Sequence, residues 1–250
     1  MNIIKDTVYV NKEAGLQTIK SFKKNWIIIF TGFIYTILNL AIYKILGSLL
    51  TGPLYIISEI IVVLITSAMV SNYLYLLFNI INYDRVTLND FKNGFGYFIR
   101  KIYGIFFIGY VANLLLSLVS DMLGNISAIL IPLLYLGVLI ILNPLPETIY
   151  LKYYNAWDSI IEPADFMKEN WLNWGLPNII YSLLLYTITG NILLNLFNTH
   201  ISYNFIFDIS ELVIYLIGQI IFSVMMIYRG HLYKLLSGST RRKRMFMNKF

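Results

Sequence analysis

Six long apolar runs constrain what this chain of 250 residues can fold into. A helix needs about 20 predominantly apolar residues to cross a bilayer, and the runs reach or approach that length. They lie at residues 26–46, 54–82, 102–118, 126–142, 176–197 and 212–236. The pattern predicts an all-α integral membrane protein with six transmembrane helices, folded as a single transmembrane domain over residues 1–250.

The composition agrees with that fold class and narrows the chemistry. Only 13% of the residues are charged and 58% are hydrophobic, whereas a soluble domain averages about 25% charged residues. No cysteine is present, which excludes disulfides, thiolate metal sites and cysteine nucleophiles. The motifs of zinc proteases, serine hydrolases and P-loop enzymes are missing as well. We therefore predict no enzyme, no catalytic residue, no metal site and no cofactor.

The positions of lysine and arginine predict the orientation in the membrane, because cytoplasmic loops carry an excess of both. Three alternate turns, at residues 47–53, 120–125 and 198–208, hold neither residue, and Lys44 is the one cation near that side. Both termini are therefore predicted to be cytoplasmic. The tail, residues 237–250, is strongly basic and is predicted to contact anionic lipid headgroups. This distribution explains the net charge of +6 without nucleic acid.

Amphipathic segments precede three pairs of apolar runs. In the segment from Thr87 to Lys101, phenylalanines recur at helical spacing, and Thr87 and Asp90 have the spacing of a capping box. Similar segments at residues 11–25 and 155–171 complete a set of three cytoplasmic interfacial helices, with Pro163 predicted to bend or restart the third. Residues 1–10 are predicted to be an extended or mobile tail. The apolar residues predicted to dock a partner are Phe91, Phe95, Phe98, Trp157, Phe166 and Trp171.

The order of one interfacial helix and two spans recurs with a period of roughly 70 residues, over units 11–83, 84–153 and 154–236. Two interpretations stay open, a triplicated ancestral unit and the general likeness of helices beside a membrane. The sequences Thr87-Leu-Asn-Asp-Phe-Lys-Asn-Gly-Phe and Asp165-Phe-Met-Lys-Glu-Asn-Trp resemble those of a broad group of bacterial six-span proteins. That group includes the membrane domain attached to some glycerophosphodiester phosphodiesterases. The resemblance implies a membrane-embedded helper or a transport-related role, and it carries over no catalytic residue.

Two sets of ionisable residues lie in or beside the predicted spans. Lys44 and Glu59 flank the first turn, where they either line an outward-facing cavity or form an ion pair, and Lys44 can also reach the interface. Glu147 follows Pro144 and Pro146, which cannot sustain regular helical hydrogen bonding. Broken helices bind ions in transporters, so Glu147 is either a cation or proton site or a solvated carboxylate at a helix end.

Polar residues recur at every fourth position of the last two spans: Thr187, Asn191 and Asn195, then Glu211, Tyr215, Gln219 and Ser223. Either they form a groove that admits a substrate, or they make hydrogen bonds between helices.

Taken together, these features predict a non-enzymatic, polytopic membrane subunit of a bacterial transport, export or immunity system. The interfacial helices would dock a cytoplasmic partner such as an ATPase, because this chain has no phosphate-binding loop of its own. The alternative is a stand-alone carrier or a lipid-binding membrane scaffold. Heavy use of isoleucine, asparagine, lysine and tyrosine is typical of an AT-rich bacterial genome, and we expect a location in the bacterial cytoplasmic membrane.

Overall fold

The computed structural model describes residues 3–49, 55–201, 203, 208–240 and 243–244. This part of the chain is helical and contains no strand. Its α-helices are α1 (Ile3–Lys24), α2 (Thr31–Leu49), α3 (Tyr55–Tyr83), α4 (Leu88–Tyr97), α5 (Ile99–Leu123), α6 (Ser127–Ile141), α7 (Leu145–Leu151), α8 (Ala156–Thr189) and α9 (Ile209–Gly238). Short 3₁₀ segments connect α1 to α2 and α5 to α6.

Four stretches of the described residues are long and apolar enough to cross a membrane: Trp26–Leu46, Ser58–Tyr83, Ile99–Leu151 and Ile209–Gly238. The membrane class is thus supported by helix length and composition. The third stretch is 53 residues long and joins α5, α6 and α7. A division into six separate spans therefore stays a prediction.

The N-terminal segment differs from its prediction, because α1 begins at Ile3 and the described part of residues 1–10 is helical. Asp6 and Val10 are buried on the inner face of this helix. Asp6 accepts two hydrogen bonds from Arg244, at 2.8 and 2.9 Å. The prediction of a loose tail was wrong because the partner that orders this segment lies at the other end of the chain.

The basic tail is only partly covered by the described residues. Arg244 is 2% exposed, since it is paired with Asp6, and this arginine is not available to lipid headgroups. Arg241, Arg242 and Lys249 lie outside the described residues, as do residues 50–53 of the first predicted turn. Lipid contact by those three cations stays a prediction.

The break predicted at the two prolines is confirmed. Helix α6 ends at Ile141, and α7 begins at Leu145 with Pro146 in its first turn. Proline is tolerated there because the first amides of a helix have no intrahelical acceptor. The break separates α7 from α6, so that Glu147 sits on a short helix of its own.

Helix α8 differs from the prediction in two ways: it is not interrupted at residue 171, and it ends before residue 197. The predicted interfacial helix at residues 155–171 and the first part of the fifth span form one helix of 34 residues, which continues through Pro163 and Pro177. This helix ends at Thr189, where Gly190 adopts a left-handed conformation with φ of 68°. The prediction of a span to residue 197 was wrong, because an apolar composition does not distinguish a helix from a packed loop.

The predicted capping box is present at the start of α4. The Thr87 amide donates to Asp90 at 2.8 Å, and the Asp90 amide donates to the Thr87 hydroxyl at 3.2 Å. Helix α4 then folds back along α3. The Ser71 hydroxyl donates to the Gly94 carbonyl at 2.7 Å and accepts from the Phe98 amide at 2.8 Å.

The core forms where α3, α7 and α9 meet. The amphipathic helices pack on this group: α1 on α9, α4 on α3, and α8 on both α7 and α9. The hairpin of α5 and α6 extends from this arrangement, and most of its apolar side chains are exposed. The buried acidic and basic residues of the described chain lie in two places, around α7 and between α1 and α9, where Asp6, His231 and Arg244 lie; the group around α7 holds Glu147.

Candidate polar site in the helix core

A buried ion pair lies at the centre of the three-helix core. Glu147 on α7 is fully buried, and Arg229 on α9 is 8% exposed. The Arg229 Nε donates to Glu147 Oε1 at 2.8 Å, and Nη2 donates to Oε2 at 2.9 Å. This two-point geometry matches the planar guanidinium to the carboxylate, which gives the pair both strength and a fixed orientation.

A second group of contacts holds the guanidinium in place. Its Nη2 also donates to the Asn143 carbonyl at 2.6 Å, a backbone oxygen released by the break between α6 and α7. The Trp174 ring of α8 lies 5.2 Å from the Arg229 Cζ, a distance at which a cation is attracted to the ring face. The Trp174 indole donates to the Asn143 side-chain oxygen at 2.8 Å. Three segments of the chain, α7, the break before it and α8, therefore converge on one arginine of α9.

Several hydroxyl groups surround the pair. Thr148 and Tyr233 share a hydrogen bond of 2.9 Å. The hydroxyl groups of Tyr73 and Tyr150 are buried and have no hydrogen-bond partner among the described residues. Since buried polar atoms are normally hydrogen-bonded, these two hydroxyls indicate that water or another small polar molecule belongs in this core.

The segment between α8 and α9 turns back into the helix bundle. The Thr189 side chain lies directly against Gly218 at one end of the segment, and the Ile201 amide donates to Gln219 Oε1 at 3.2 Å at the other. Between these anchors the chain reaches the level of Asn178 and Ser182 on α8. At about 1.5 Å per residue, that level is roughly 10–16 Å below the end of α8. We call residues 190–201 the re-entrant segment.

A cavity of about 50 Å³ separates the re-entrant segment from the ion pair. Its polar lining residues are Asn143, Asn178, Ser182, Asn195, Asn198 and Arg229. Ser182 and Asn195 are exposed, whereas Arg229 is buried. The cavity therefore leads from the outer surface of the bundle to the guanidinium.

The structure brings three of the predicted polar residues toward this region. Glu147 holds the arginine, Asn195 lines the cavity, and Gln219 binds the end of the re-entrant segment. Neither interpretation of Glu147 as a free ion site or a solvated carboxylate was right, because the carboxylate is buried and already paired. Asn191 is exposed in the re-entrant segment and Glu211 is exposed in the first turn of α9.

The other predicted residues lie away from the ion pair. Lys44 and Glu59 are exposed, and no ion pair joins them in the described part of the chain. The four-residue stripe predicted along span five was wrong beyond Thr187, because the helix ends before Asn191 and Asn195.

The aromatic residues predicted to dock a partner fall into two groups. Phe91, Phe95 and Phe98 are partly buried against the core, and Phe166 is 6% exposed. On the exposed face of α8, Trp157 and Trp171 are 60% and 64% exposed. Of the six residues predicted to dock a partner, only these two tryptophans expose most of their surface.

Sequence reasoning missed Arg229, Trp174 and Asn178. Arg229 was counted among the cytoplasmic cations, although it lies well inside an apolar run, between Tyr228 and Gly230. An ionisable residue at such a position is costly unless it is paired, so its place in the apolar run was a signal for a buried partner.

No family model, no curated protein and no solved structure matches this chain. In the described residues no group of three or more histidines and carboxylates could hold a metal ion. The resemblance to the membrane domain of some glycerophosphodiester phosphodiesterases stays a prediction.

Proposed function

We propose that this protein is a stand-alone, non-enzymatic membrane carrier that binds a small polar solute in the cavity beside the Glu147–Arg229 pair. The observation that carries the proposal is the re-entrant segment reaching a buried arginine through a polar cavity. Irregular backbone at membrane depth is tolerated where it is buried in protein or lines a water-filled cavity. Ionisable residues within membrane proteins commonly mark substrate pathways.

The shape of the cavity supports a carrier more than a static scaffold. One end opens beside Ser182 and Asn195, and the other ends at buried Arg229. A site that is reached from one side and closed on the other is the starting state for alternating access. The re-entrant segment contacts α9 at Thr189 and Ile201, and its displacement would open the site differently.

The membrane arrangement belongs to the same proposal. Six spans with both termini cytoplasmic would place the amphipathic helices on the cytoplasmic side of a bacterial membrane. The packing of α1 on α9, α4 on α3 and α8 on α7 supports a cyclic arrangement of three related units. In this arrangement each amphipathic helix covers the last helix of the preceding unit.

Flux through purified protein tests the carrier. The protein would be reconstituted alone into liposomes loaded with a mixture of potassium chloride, sodium formate, urea and glycerol, and release of each solute would be followed. We expect release of at least one solute above that of empty liposomes. Asn195→Leu removes a polar group from the cavity mouth and should reduce that release.

Asn89→Leu is the matched control, since Asn89 is exposed on α4, away from the cavity, and should release solute like the wild type. Release of none of the four solutes, or equal release by Asn195→Leu, contradicts the proposal.

A second candidate function is the membrane subunit that docks a cytoplasmic partner. Its support is the pair of exposed tryptophans on α8, Trp157 and Trp171, with exposed Ile161 between them. Aromatic residues are enriched where interfaces form. Affinity purification in mild detergent separates the two functions: the docking function requires a stoichiometric partner that is lost in Trp157→Ala/Trp171→Ala but retained in Asn195→Leu.

A further inference from the structure

We infer that the cavity binds a small inorganic or carboxylate anion, against the free edge of the Arg229 guanidinium. This inference deepens the proposed carrier function by naming the chemical class of its solute. It rests on the hydrogen-bonding groups that remain unused around the cavity.

Arg229 is the first of these groups. Its Nε and Nη2 bind Glu147 and Asn143, but Nη1 has no acceptor among the described residues. Because Arg229 lines the cavity, we place the two N–H groups of Nη1 at the cavity wall. Guanidinium N–H groups are the preferred protein donors to carboxylates and oxyanions.

The amide side chains add donors to the same wall. Asn195 Oδ1 accepts from the Phe197 amide at 3.0 Å, which leaves the Asn195 amino group unused. Asn143 Oδ1 accepts from Trp174 at 2.8 Å, which leaves the Asn143 amino group unused. The oxygen and nitrogen of each asparagine side chain are assigned by these hydrogen bonds, because an N–H group can donate only to the oxygen.

The unused acceptors are fewer. Asn178 donates from its amino group to the Trp174 carbonyl at 2.7 Å, and its Oδ1 is buried without a partner. Asn198 donates to the Asn195 carbonyl, so its Oδ1 also stays free. The unused donors outnumber these two oxygens: they are the side-chain amino groups of Asn143 and Asn195 and the Nη1 group of Arg229. The Ser182 hydroxyl can act as a donor or as an acceptor. The balance of donors favours an anion over a cation.

The volume and charge of the site limit which anion it takes. About 50 Å³ has room for a few water molecules, so a halide, nitrate or formate fits and a larger organic anion does not. Glu147 already neutralises Arg229, and the ligand is therefore held by hydrogen bonds more than by net charge. Weak binding follows, which allows a carried ion to leave again.

Fluorescence of Trp174 reports on this site, because its ring lies 5.2 Å from the guanidinium carbon. In detergent, the variant Trp26→Phe/Trp157→Phe/Trp171→Phe retains Trp174 as its only tryptophan. It would be titrated with sodium bromide, whose heavy atom quenches an indole at short range, while sodium gluconate keeps the ionic strength constant. We expect saturable quenching that chloride and formate relieve by competition.

Two variants at the exposed end of the cavity make the test specific. Asn195→Leu and Ser182→Ala should each weaken bromide binding by roughly fivefold, as expected for the loss of one hydrogen bond. Both positions are exposed, so folding should survive, and Asn89→Leu should bind like the parent. Replacing sodium by potassium should change nothing.

Quenching that rises linearly, follows the cation or is unchanged in both cavity variants overturns the inference and indicates water alone in the cavity. The carrier proposal is judged separately by flux. If urea or glycerol crosses the liposome membrane while bromide does not bind, the proposed carrier function is supported and the inferred anion site is contradicted. If bromide binds and no solute crosses, the anion site is supported and the proposed carrier function is contradicted.

Discussion

Glu147 and Arg229 stabilise each other as an ion pair, because both charged side chains have almost no access to water. Glu147→Gln keeps the shape of the side chain and leaves the guanidinium without its counter-charge. Breaking a buried pair in this way costs about 3–5 kcal/mol. We expect a markedly lower midpoint of thermal unfolding in detergent for Glu147→Gln.

A double variant checks the cause of that loss. Glu147→Gln/Arg229→Met removes both charges and should recover part of the stability, since no uncompensated charge remains. The same midpoint for Glu147→Gln and the wild type, or a double variant that is worse than the single one, would contradict the role of the pair.

Asp84 carries a second electrostatic prediction, at the junction of α3 and α4. Burial raises the pKa of Asp84, but the hydrogen bond from Lys24 and the charges of Lys24 and Lys20 outweigh it, so that the pKa is lowered from 3.8. A carboxyl group with a lowered pKa stabilises the fold above its unfolded pKa. That stabilisation is lost as the pH falls through the folded pKa, below about 3.8.

Asp84→Asn should therefore reduce the free energy of unfolding at pH 7 by about 0.5–1 kcal/mol, because the pair with Lys24 is partly exposed. Asparagine accommodates the φ of 55° at this position. The difference from the wild type should shrink toward pH 3 in unfolding scans. Asp165→Asn, in a more exposed pair with Lys168, is the control and should change less. If the free energy of unfolding of Asp84→Asn stays equally far below that of the wild type at pH 3, the charge of Asp84 is not the cause of the difference.

How far single residues could be predicted depends on where their partners lie. Glu147 was found beside Pro144 and Pro146 because its signal is local. Its pairing was missed because Arg229 lies 82 positions further along the chain. The same holds for Asp6 and Arg244, which are 238 positions apart.

At the level of elements, the contact between α3 and α4 gives the sharpest test. A Cβ atom at Gly94 would lie 3.0–3.2 Å from Asn72 of α3, whereas nothing lies within 4 Å of such an atom at Gly96. Gly94→Ala should force the two helices apart and lower the unfolding midpoint by several degrees. Gly96→Ala should leave it unchanged or raise it, because alanine has the higher helix propensity.

The comparison isolates close packing from helix propensity, since both glycines lie in α4. Equal midpoints for the two variants in thermal unfolding scans would mean that α4 does not pack on α3 in solution. Helix α4 would then lie free at the membrane surface, as its amphipathic pattern alone predicts.

Helix starts and breaks could be predicted from the sequence where they depend on neighbouring residues. The capping box at Thr87 and the break at Pro144 follow from residues that lie side by side, and both are present. The end of α8 was not predictable from the apolar run, because the run continues to residue 197 while Gly190 already turns the chain. The folded-back position of α4 was also missed, since it depends on Ser71 and Asn72 of another helix.

For the whole molecule, the absence of cysteine makes the topology directly testable. Single cysteines would replace Asn93, Asp158 and Asp121, all of which are exposed. In intact cells a membrane-impermeant maleimide should label only Asp121→Cys, and it should label all three after the membrane is opened. Labelling of Asn93→Cys or Asp158→Cys in intact cells would contradict the proposed orientation.

The packing of α1 on α9 sets an order of events during synthesis. The inner face of α1 carries Asp6 and Ser21, whose partners are Arg244 and His231. Helix α9 is synthesised after α1, so the part of this face that contacts α9 stays uncovered until α9 has formed. A chain truncated before α9 should therefore leave this face of α1 open to proteases.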